Sequence, residues 1–463
     1  MTVLWKSEEI YDTLNTPNIG NWTANGVSIN SRKINPNDIF VALKGPRFDG
    51  HNFISDAFRA GASACIVEKN IDTVLDNHGN NKLVVVQNTK NALTAIAKKA
   101  RDRVNSQIIA ITGSVGKTTT KDILKYVLSR QNPTHATYGN YNNHIGVPLS
   151  LARMPGDTYY GVFEIGMNKK GEIAPLSCLI KPNIALVTSV DAAHLGAFSS
   201  VSEIALEKAN IFEGLQKNKK AIIPADSHYY TELSQNAQIF GAQSILSFGT
   251  REGSDYRLLD TVLDHFGSKI TANIRGKLIN YKLKLRGQHM ALNSLAVLAA
   301  VDLIGANVEQ AAKDLLDILP TPGRGWKSII KYKQGSFSII DESYNASPIS
   351  MLAMINTMAL EPIENRKILV LGDMLELGKS SRRLHEELAV PIKKARVHYV
   401  FTAGQNMKYL NSILPPNVKK THASDSAALA TALKNFVKPG DILAIKGSAG
   451  SKMSCVVDAL KDL

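Results

Sequence analysis

The turn Gly113-Ser114-Val115-Gly116-Lys117-Thr118 carries the residue types that hold a nucleotide phosphate. Glycines let backbone N–H groups converge on phosphate oxygens, and a following helix adds its positive end. A lysine supplies charge to the outer phosphates, and a threonine hydroxyl is a ligand for Mg²⁺. The long pattern GxxxxGK[ST] needs glycine at position 111, where Ile111 stands, so the match is to a shorter GxxGKT form. A chance glycine turn is the bland alternative. The flanking sequence weighs against it: QIIAIT (107–112) reads as a buried strand, and KTTTKDILKYVLSR (117–130) has helical spacing at Ile123, Leu124, Val127 and Leu128.

Other groups are weaker when taken singly. Glu164 closes the run YYGVFE, from which a carboxylate could reach a phosphate-bound cation, although a strand-end Glu is as often plain surface. His194 follows NIALVTSV in DAAHLG, where a lone His is ordinarily a satisfied loop residue. Lys208 lies in the helical stretch EIALEKANIFEGL and by itself reads as solvated. Asn140, Asn142 and Asn143 share a Gly/Pro-bounded loop, where amides bind polar groups or form Asx-turns. Ser31, Arg32, Lys44, Asp49 and His51 surround one strand-like run, and Asp341, Tyr344 and Asn345 follow another in DESYNASP.

The elements that must position these residues alternate. Strand-like runs occur at 39–43, 64–68, 82–87, 159–166, 183–190 and 220–225, with helical stretches at 92–104 and 292–306. Four more runs follow at 336–343, 367–373, 398–404 and 441–448. This alternation predicts an α/β protein with mostly parallel sheets. The Pro/Gly-rich segment 318–328 reads as a linker. Boundaries near 105 and 320 give domains of 1–104, 105–319 and 320–463, within the two to four expected of 463 residues at roughly 100–200 per domain.

Charge raises a different possibility. The chain has 54 Lys and Arg against 40 Asp and Glu, a net +14, which suits nucleic acid or an anionic small substrate. The lysine pairs are scattered, and aromatic residues are only 6%, so a P-loop ATPase acting on nucleic acid is the lesser reading. No leader and no apolar run of about 18 residues is visible, so neither secretion nor membrane insertion is expected. Three dispersed cysteines fit a reducing compartment, and a cytoplasmic monomer is the expectation.

Taken together, the islands resemble the Mur ligase family of peptidoglycan synthesis over essentially the whole chain. The motifs are NSR…DIFVALKG…DGH, GSVGKTTTK, GNYNNHIGVPLSL, FEIGMNKKGEI, AAHLGAF, EKANIFEGL, GQHMALNSLAV, PGRG, DESYNASP, LGDMLELG and KGS. The short GxxGKT loop is the family's own form. The resemblance implies an N-terminal domain for a UDP-linked precursor, a central P-loop ATPase domain and a Rossmann-like C-terminal domain. It implies an ATP-dependent amide ligase, required for cell-wall biogenesis, cell shape and division, that works through an acyl phosphate. DESYNASP and LGDMLELG are similar to members that add D-alanyl-D-alanine to UDP-N-acetylmuramoyl-tripeptide, and the DNPR-type motif of the diaminopimelate-adding members is absent. A folylpolyglutamate-type ligase is disfavoured by the N-terminal motifs.

By the same resemblance, Gly113 to Thr119 would bind ATP, with Lys117 on the β/γ-phosphates, and Thr118 and Glu164 would hold Mg²⁺. His194 matches a ligand of a second Mg²⁺, and Lys208 the lysine carbamoylated in several members. Asn293 and His289 would sit at adenine, and Arg324 and Asp341 would reach the nucleotide from the last domain. Ser31, Arg32, Lys44, Asp49, His51, Asn142, Asn143, Tyr344, Asn345 and Lys446 would face the UDP-peptide or the dipeptide. Two positions depart from the usual pattern: Ala449 stands where Arg usually follows KGS, and Asn30 where Asp usually precedes Ser31-Arg32.

Overall fold

The computed structural model describes residues 3–68, 80–216, 219–264, 267–362 and 364–463. Among the described residues a two-stranded ribbon, Trp5–Lys6 with Thr23–Ala24, precedes three larger sheets that follow one another along the chain. The first has four parallel strands in sequence order: Gly26–Ser28, Asp38–Val41, Ala64–Glu68 and Leu83–Val86. Helix Thr89–Asp102 packs its Ala92, Leu93, Ile96 and Ala100 onto Ile39, Val41, Ile66 and Val84 of this sheet. Asn88 caps that helix, its side chain accepting from Asn91 N–H.

The middle sheet has nine strands. Gln107–Thr112 lies third from one edge, between Ile184–Val187 and Tyr160–Glu164, all parallel. Because side chains alternate along a strand, Ile109 and Ile111 enter one core while Ile108 and Ala110 enter the other. Helix Gln288–Leu303 has no single apolar stripe and is buried along most of its length, and the P-loop helix Lys117–Ser129 packs on it through Ile123, Leu124, Val127 and Leu128.

The third sheet has six strands in the order Trp326–Tyr332, Gly335–Glu342, Ile442–Lys446, Lys367–Gly372, Tyr399–Ala403 and Lys419–Ala423, parallel after the first hairpin.

The structure adds short strands that the sequence reading lacks, at Gly26–Ser28, Thr134–Ala136 and Lys419–Ala423, and differs from it most in two further places. The middle sheet continues through Ser244–Gly249 and Tyr256–Asp264 into two antiparallel strands, Gly267–Ile274 and Lys277–Leu283. These alternate apolar with polar residues because one face is solvated, so they lack the continuous apolar runs that marked the buried strands. The segment taken as a linker also ends early: Trp326–Tyr332 is an edge strand whose large residues Trp326 and Ile329 stay exposed.

The first and middle units share a core, since Leu149 and Ala152 pack with Trp5, Ile10 and Val27. Arg103 pins this junction. Its guanidinium lies 4.1 Å from the Trp5 ring centroid and donates to Leu4 O and Met154 O, both at 2.8 Å. Arg103→Ala leaves two carbonyls unpartnered and is expected to cost about 2–4 kcal/mol. A urea unfolding curve with an unchanged midpoint would contradict this.

Candidate functional site

The candidate residues gather where parallel strands end. In the middle sheet the P-loop follows Thr112, Glu164 ends its strand, and the segment holding Ser189 and His194 follows Val187. In the third sheet Tyr344 and Asn345 follow Glu342, and Lys446 ends its strand. In the first sheet Ser31 and Arg32 follow Ser28, and Lys44, Asp49 and His51 follow Val41. The C-terminal edge of a parallel sheet is the ordinary place for a ligand, because loops there are free to diverge around it.

The P-loop is shaped from outside as well as by its own glycines. Gly113 has φ 154°, and a Cβ there would lie 1.9 Å from Thr188 Oγ1. Gly116 has φ 86°, and a Cβ would lie 2.6 Å from Asn293 Oδ1, so Asn293 abuts the turn that starts the helix. Thr188 Oγ donates to Val115 O at 2.6 Å, Val115 N–H donates to Ser189 Oγ at 3.0 Å, and Ser114 N–H donates to Ser189 O at 2.9 Å. Ser114 Oγ donates to Asp191 O at 3.0 Å. Thr188, Ser189 and Asp191 were not singled out from the sequence, because a short polar run after a strand carries no distinctive pattern. Lys117 Nζ folds back on Gly113 O at 2.6 Å and Ser114 O at 3.3 Å.

Glu164 is 1% exposed, which overturns its plain-surface reading. Its Oε1 accepts from Asn142 Nδ2 at 2.7 Å, while its buried Oε2 has no hydrogen-bond partner. A desolvated carboxylate oxygen left open beside a P-loop fits a hard cation. Asn143 is placed differently from Asn142: its Oδ1 accepts from Ile145 N–H at 3.1 Å and Gly146 N–H at 2.9 Å, closing the start of the next helix.

Lys208 is also not solvated. It lies on helix Val201–Ala209 with 1% exposure. Burial holds its ammonium well below the usual lysine range, and the Lys117 charge pushes it further, against the opposing pull of Glu207. Burial lowers Lys117 too, with Glu164 opposing and Arg324 adding to the shift. The reading of Lys208 as a solvated helix lysine fails because it lies one turn after Ile204 and Ala205, on the face of its helix that is turned into the protein, while Ser202 and Leu206 hold the exposed face.

The third unit reaches this edge at several points. Arg324 Nη2 donates to Thr118 Oγ1 at 3.2 Å, and its guanidinium stacks 3.9 Å from the Tyr344 ring centroid. Asp341 does not itself point outward. Its Oδ2 accepts from Gly323 N–H at 3.0 Å and its Oδ1 from Ser343 N–H at 3.0 Å and Ser343 Oγ at 2.6 Å, so it holds the turn that presents Arg324. Lys446 Nζ donates to Glu342 Oε2 at 3.1 Å and Asn345 O at 2.9 Å. His289, from the middle unit, is lowered by burial, with Glu342 raising and Lys446 lowering it, which sets all three in one electrostatic neighbourhood. His194 Nδ1 bonds Glu376 Oε2 of the third unit at 2.5 Å. A cavity of about 260 Å³ adjoins the P-loop helix, lined by Thr119, Ile123, Met290, Leu319, Pro320 and Arg324 among others. It was invisible in the sequence because it draws on segments 200 residues apart.

The N-terminal candidates form their own cluster. His51 Nδ1 bonds Asp49 Oδ1 at 2.5 Å, and His51 Nε2 accepts from Glu68 N–H at 3.0 Å. The ring is therefore fixed with its proton toward Asp49. Lys44 pairs with Asp49 through a backbone bridge. Asn30 Oδ1 accepts from Arg32 N–H at 3.0 Å and so caps the Ser31–Lys33 turn without a charge.

A P-loop at the C-terminal ends of parallel strands, with the third unit's sheet edge set against it and a further α/β unit before it, defines a multidomain α/β protein of the phosphate-loop class. Comparison with known proteins narrows this. The family models described as "Mur ligase family, catalytic domain", "Mur ligase middle domain" and "Mur ligase, glutamate ligase domain" match residues 23–101, 111–301 and 329–449. A UDP-N-acetylmuramoyl-tripeptide–D-alanyl-D-alanine ligase of Rickettsia prowazekii is 36% identical over 458 residues, covering 98% of this chain and 99% of the relative. A crystal structure of MurF from Acinetobacter baumannii superposes with TM-score 0.86 at 28% identity over 99% of each chain. The MurF ligase of Thermotoga maritima in complex with ADP gives 0.78 at 28% identity, covering 94% of this chain and 97% of that one. The chain belongs to the Mur ligase family, with that family's three-domain architecture.

A buried lysine without a bonded counter-ion opposes folding, so Lys208→Met is expected to stabilise the protein by about 1–3 kcal/mol. Between the lowered folded pKa and the ordinary value of about 10.4 the unfolded chain binds more protons, so wild-type stability rises with pH there. Lys208→Met should flatten that rise. Thermal melts showing the variant less stable at neutral pH would contradict this account.

Proposed function

We propose that the chain is an ATP-dependent amide ligase that adds D-alanyl-D-alanine to UDP-N-acetylmuramoyl-tripeptide in peptidoglycan synthesis. The observation that carries this is the end-to-end likeness to ligases of that name, together with the P-loop geometry at the same sheet edge. The reaction sets the demands. A free carboxylate is a poor electrophile, and transfer of the γ-phosphoryl group to it creates an acyl phosphate with a good leaving group. The dipeptide amine then attacks the acyl carbon and phosphate departs. Two polyanions must be held together, which favours buried cations and fixed N–H donors.

In this reading residues 1–104 take the UDP end of the precursor through Ser31, Arg32, Lys44, Asp49 and His51. Residues 105–319 take ATP, with Gly113 to Thr119 around the phosphates and Lys117 turning from Gly113 O to the β/γ-phosphates. Adenine lies near His289 and Asn293 and the adjoining cavity. Residues 320–463 bring Arg324, held by Asp341, to the nucleotide, and Tyr344, Asn345 and Lys446 toward the acceptor.

Thr118 and Glu164 would hold Mg²⁺, and the open Glu164 Oε2 fits that use. No group of three His, Cys, Asp or Glu side chains converges among the described residues, and a Mg²⁺ carried by phosphates and one or two protein oxygens does not need one. His194, and Lys208 if carbamoylated, would serve a second Mg²⁺. The metal's chemistry when bound is to neutralise charge on the transferring phosphoryl group. No described helix is long and apolar enough to cross a membrane, in keeping with water-borne substrates, and we place the enzyme in the cytoplasm as a monomer.

Phosphate release from ATP should require both UDP-N-acetylmuramoyl-tripeptide and D-alanyl-D-alanine. Release that runs equally without the dipeptide, or on another amino acid, would overturn the assignment. Lys117→Ala should reduce turnover by at least about 10²-fold, while UDP-precursor binding measured by calorimetry persists.

A further inference from the structure

The turn after the middle sheet's strand Ile184–Val187 interlocks with a turn of the third unit. His194 is left-handed (φ 59°), as are Glu376 (φ 64°) and Gly378 (φ 55°) opposite it. Leu195, between them, packs on the cores of both units. Glu376 is engaged at both ends: its carbonyl accepts from Gly196 N–H at 2.8 Å, and its carboxylate accepts from His194 Nδ1 at 2.5 Å. The two backbones are so close that a Cβ on Gly378 would lie 3.2 Å from Gly196 Cα. The three atoms nearest a Cβ on Gly196 would all belong to the 376–378 turn, with Glu376 O first at 3.4 Å. The Glu376 side chain is 62% exposed, so the ion pair adds little to stability, and its effect is orientation.

We propose that the 376–378 turn is a clasp and that Glu376 is a positioning residue through which seating of the third unit sets the His194 imidazole. The bond fixes the ring proton on Nδ1 and leaves Nε2 as a lone pair, the form in which imidazole ligates a metal or accepts a proton. The third unit follows the middle one through the irregular segment 318–325 and meets it largely through polar contacts, the kind of interface across which domains move. When the third unit lifts away, both Glu376 bonds break together and His194 loses its fixed tautomer. The competent ring is thus assembled only in the seated arrangement, which ties chemistry to completion of the site. This rests on the ligase reading for its purpose but on the turn geometry for its existence.

The test uses the full chain labelled with ¹⁵N-histidine. Long-range ¹H–¹⁵N spectra, with His194 assigned by the loss of its signals in His194→Gln, should show an Nδ1–H ring in wild type and in Glu376→Gln, whose amide oxygen still accepts. Glu376→Ala should show a tautomer mixture and lose about tenfold in kcat with KM for ATP within about twofold, while Glu376→Gln stays within about threefold of wild type. Gly196→Trp, which wedges the turns apart without touching the P-loop, should reproduce the Glu376→Ala spectrum and enlarge the particle in small-angle scattering. An unchanged His194 spectrum in both Glu376→Ala and Gly196→Trp, or equal losses in the Gln and Ala variants, would overturn the clasp. If the spectra behave as stated but wild type releases no phosphate with both substrates, the clasp stands and the ligase reading falls.

Discussion

Two lysines share one edge of the middle sheet, Lys208 buried and Lys117 half-buried: burial lowers both, the Lys117 charge lowers Lys208 further, the Arg324 charge lowers Lys117 further, and neither is hydrogen-bonded to a carboxylate among the described residues. That arrangement opposes folding, and the surrounding structure is what sustains it. The strand Gln107–Thr112 is packed on both faces, the largely buried helix Gln288–Leu303 backs the P-loop helix, and the 188–191 segment ties the loop from the side. The open Glu164 oxygen beside these lysines is what the proposed binding of ATP with a cation rests on, the polyanion supplying the charge that the protein leaves unpaired.

Much of this was legible from sequence. QIIAIT, GSVGKT and the following helix fall where their pattern places them, because a buried parallel strand and an amphipathic helix are marked by local composition. The antiparallel extension Gly267–Ile274 and Lys277–Leu283 was not, because half-solvated strands dilute their apolar signal with lysines and asparagines. Burial of Glu164 and Lys208 was also hidden. Charged residues read as surface unless tertiary neighbours are known, and those neighbours come from distant segments. The roles of Asp341 and Asn143 as local clamps follow from hydrogen bonds no motif records.

The net charge of +14 gains a narrower meaning in this light. Beside the P-loop edge the basic groups held in place are few: Lys117, Lys208, Arg324 and Lys446, each anchored by named carbonyls, rings or carboxylates or by burial. The middle and third units meet at their C-terminal sheet edges through polar contacts, Arg324 to Thr118 and His194 to Glu376, while the first unit joins the middle one through a shared apolar core. The site is therefore completed by the arrangement of units as much as by any one of them.

The central claim is that this edge activates a carboxylate by phosphorylation. Isotope transfer tests it most directly, using UDP-N-acetylmuramoyl-tripeptide labelled with ¹⁸O in its terminal carboxylate, unlabelled ATP and D-alanyl-D-alanine. The account predicts that released phosphate carries one ¹⁸O per peptide bond formed, as an acyl phosphate requires. Peptide bond formation with unlabelled phosphate would contradict it.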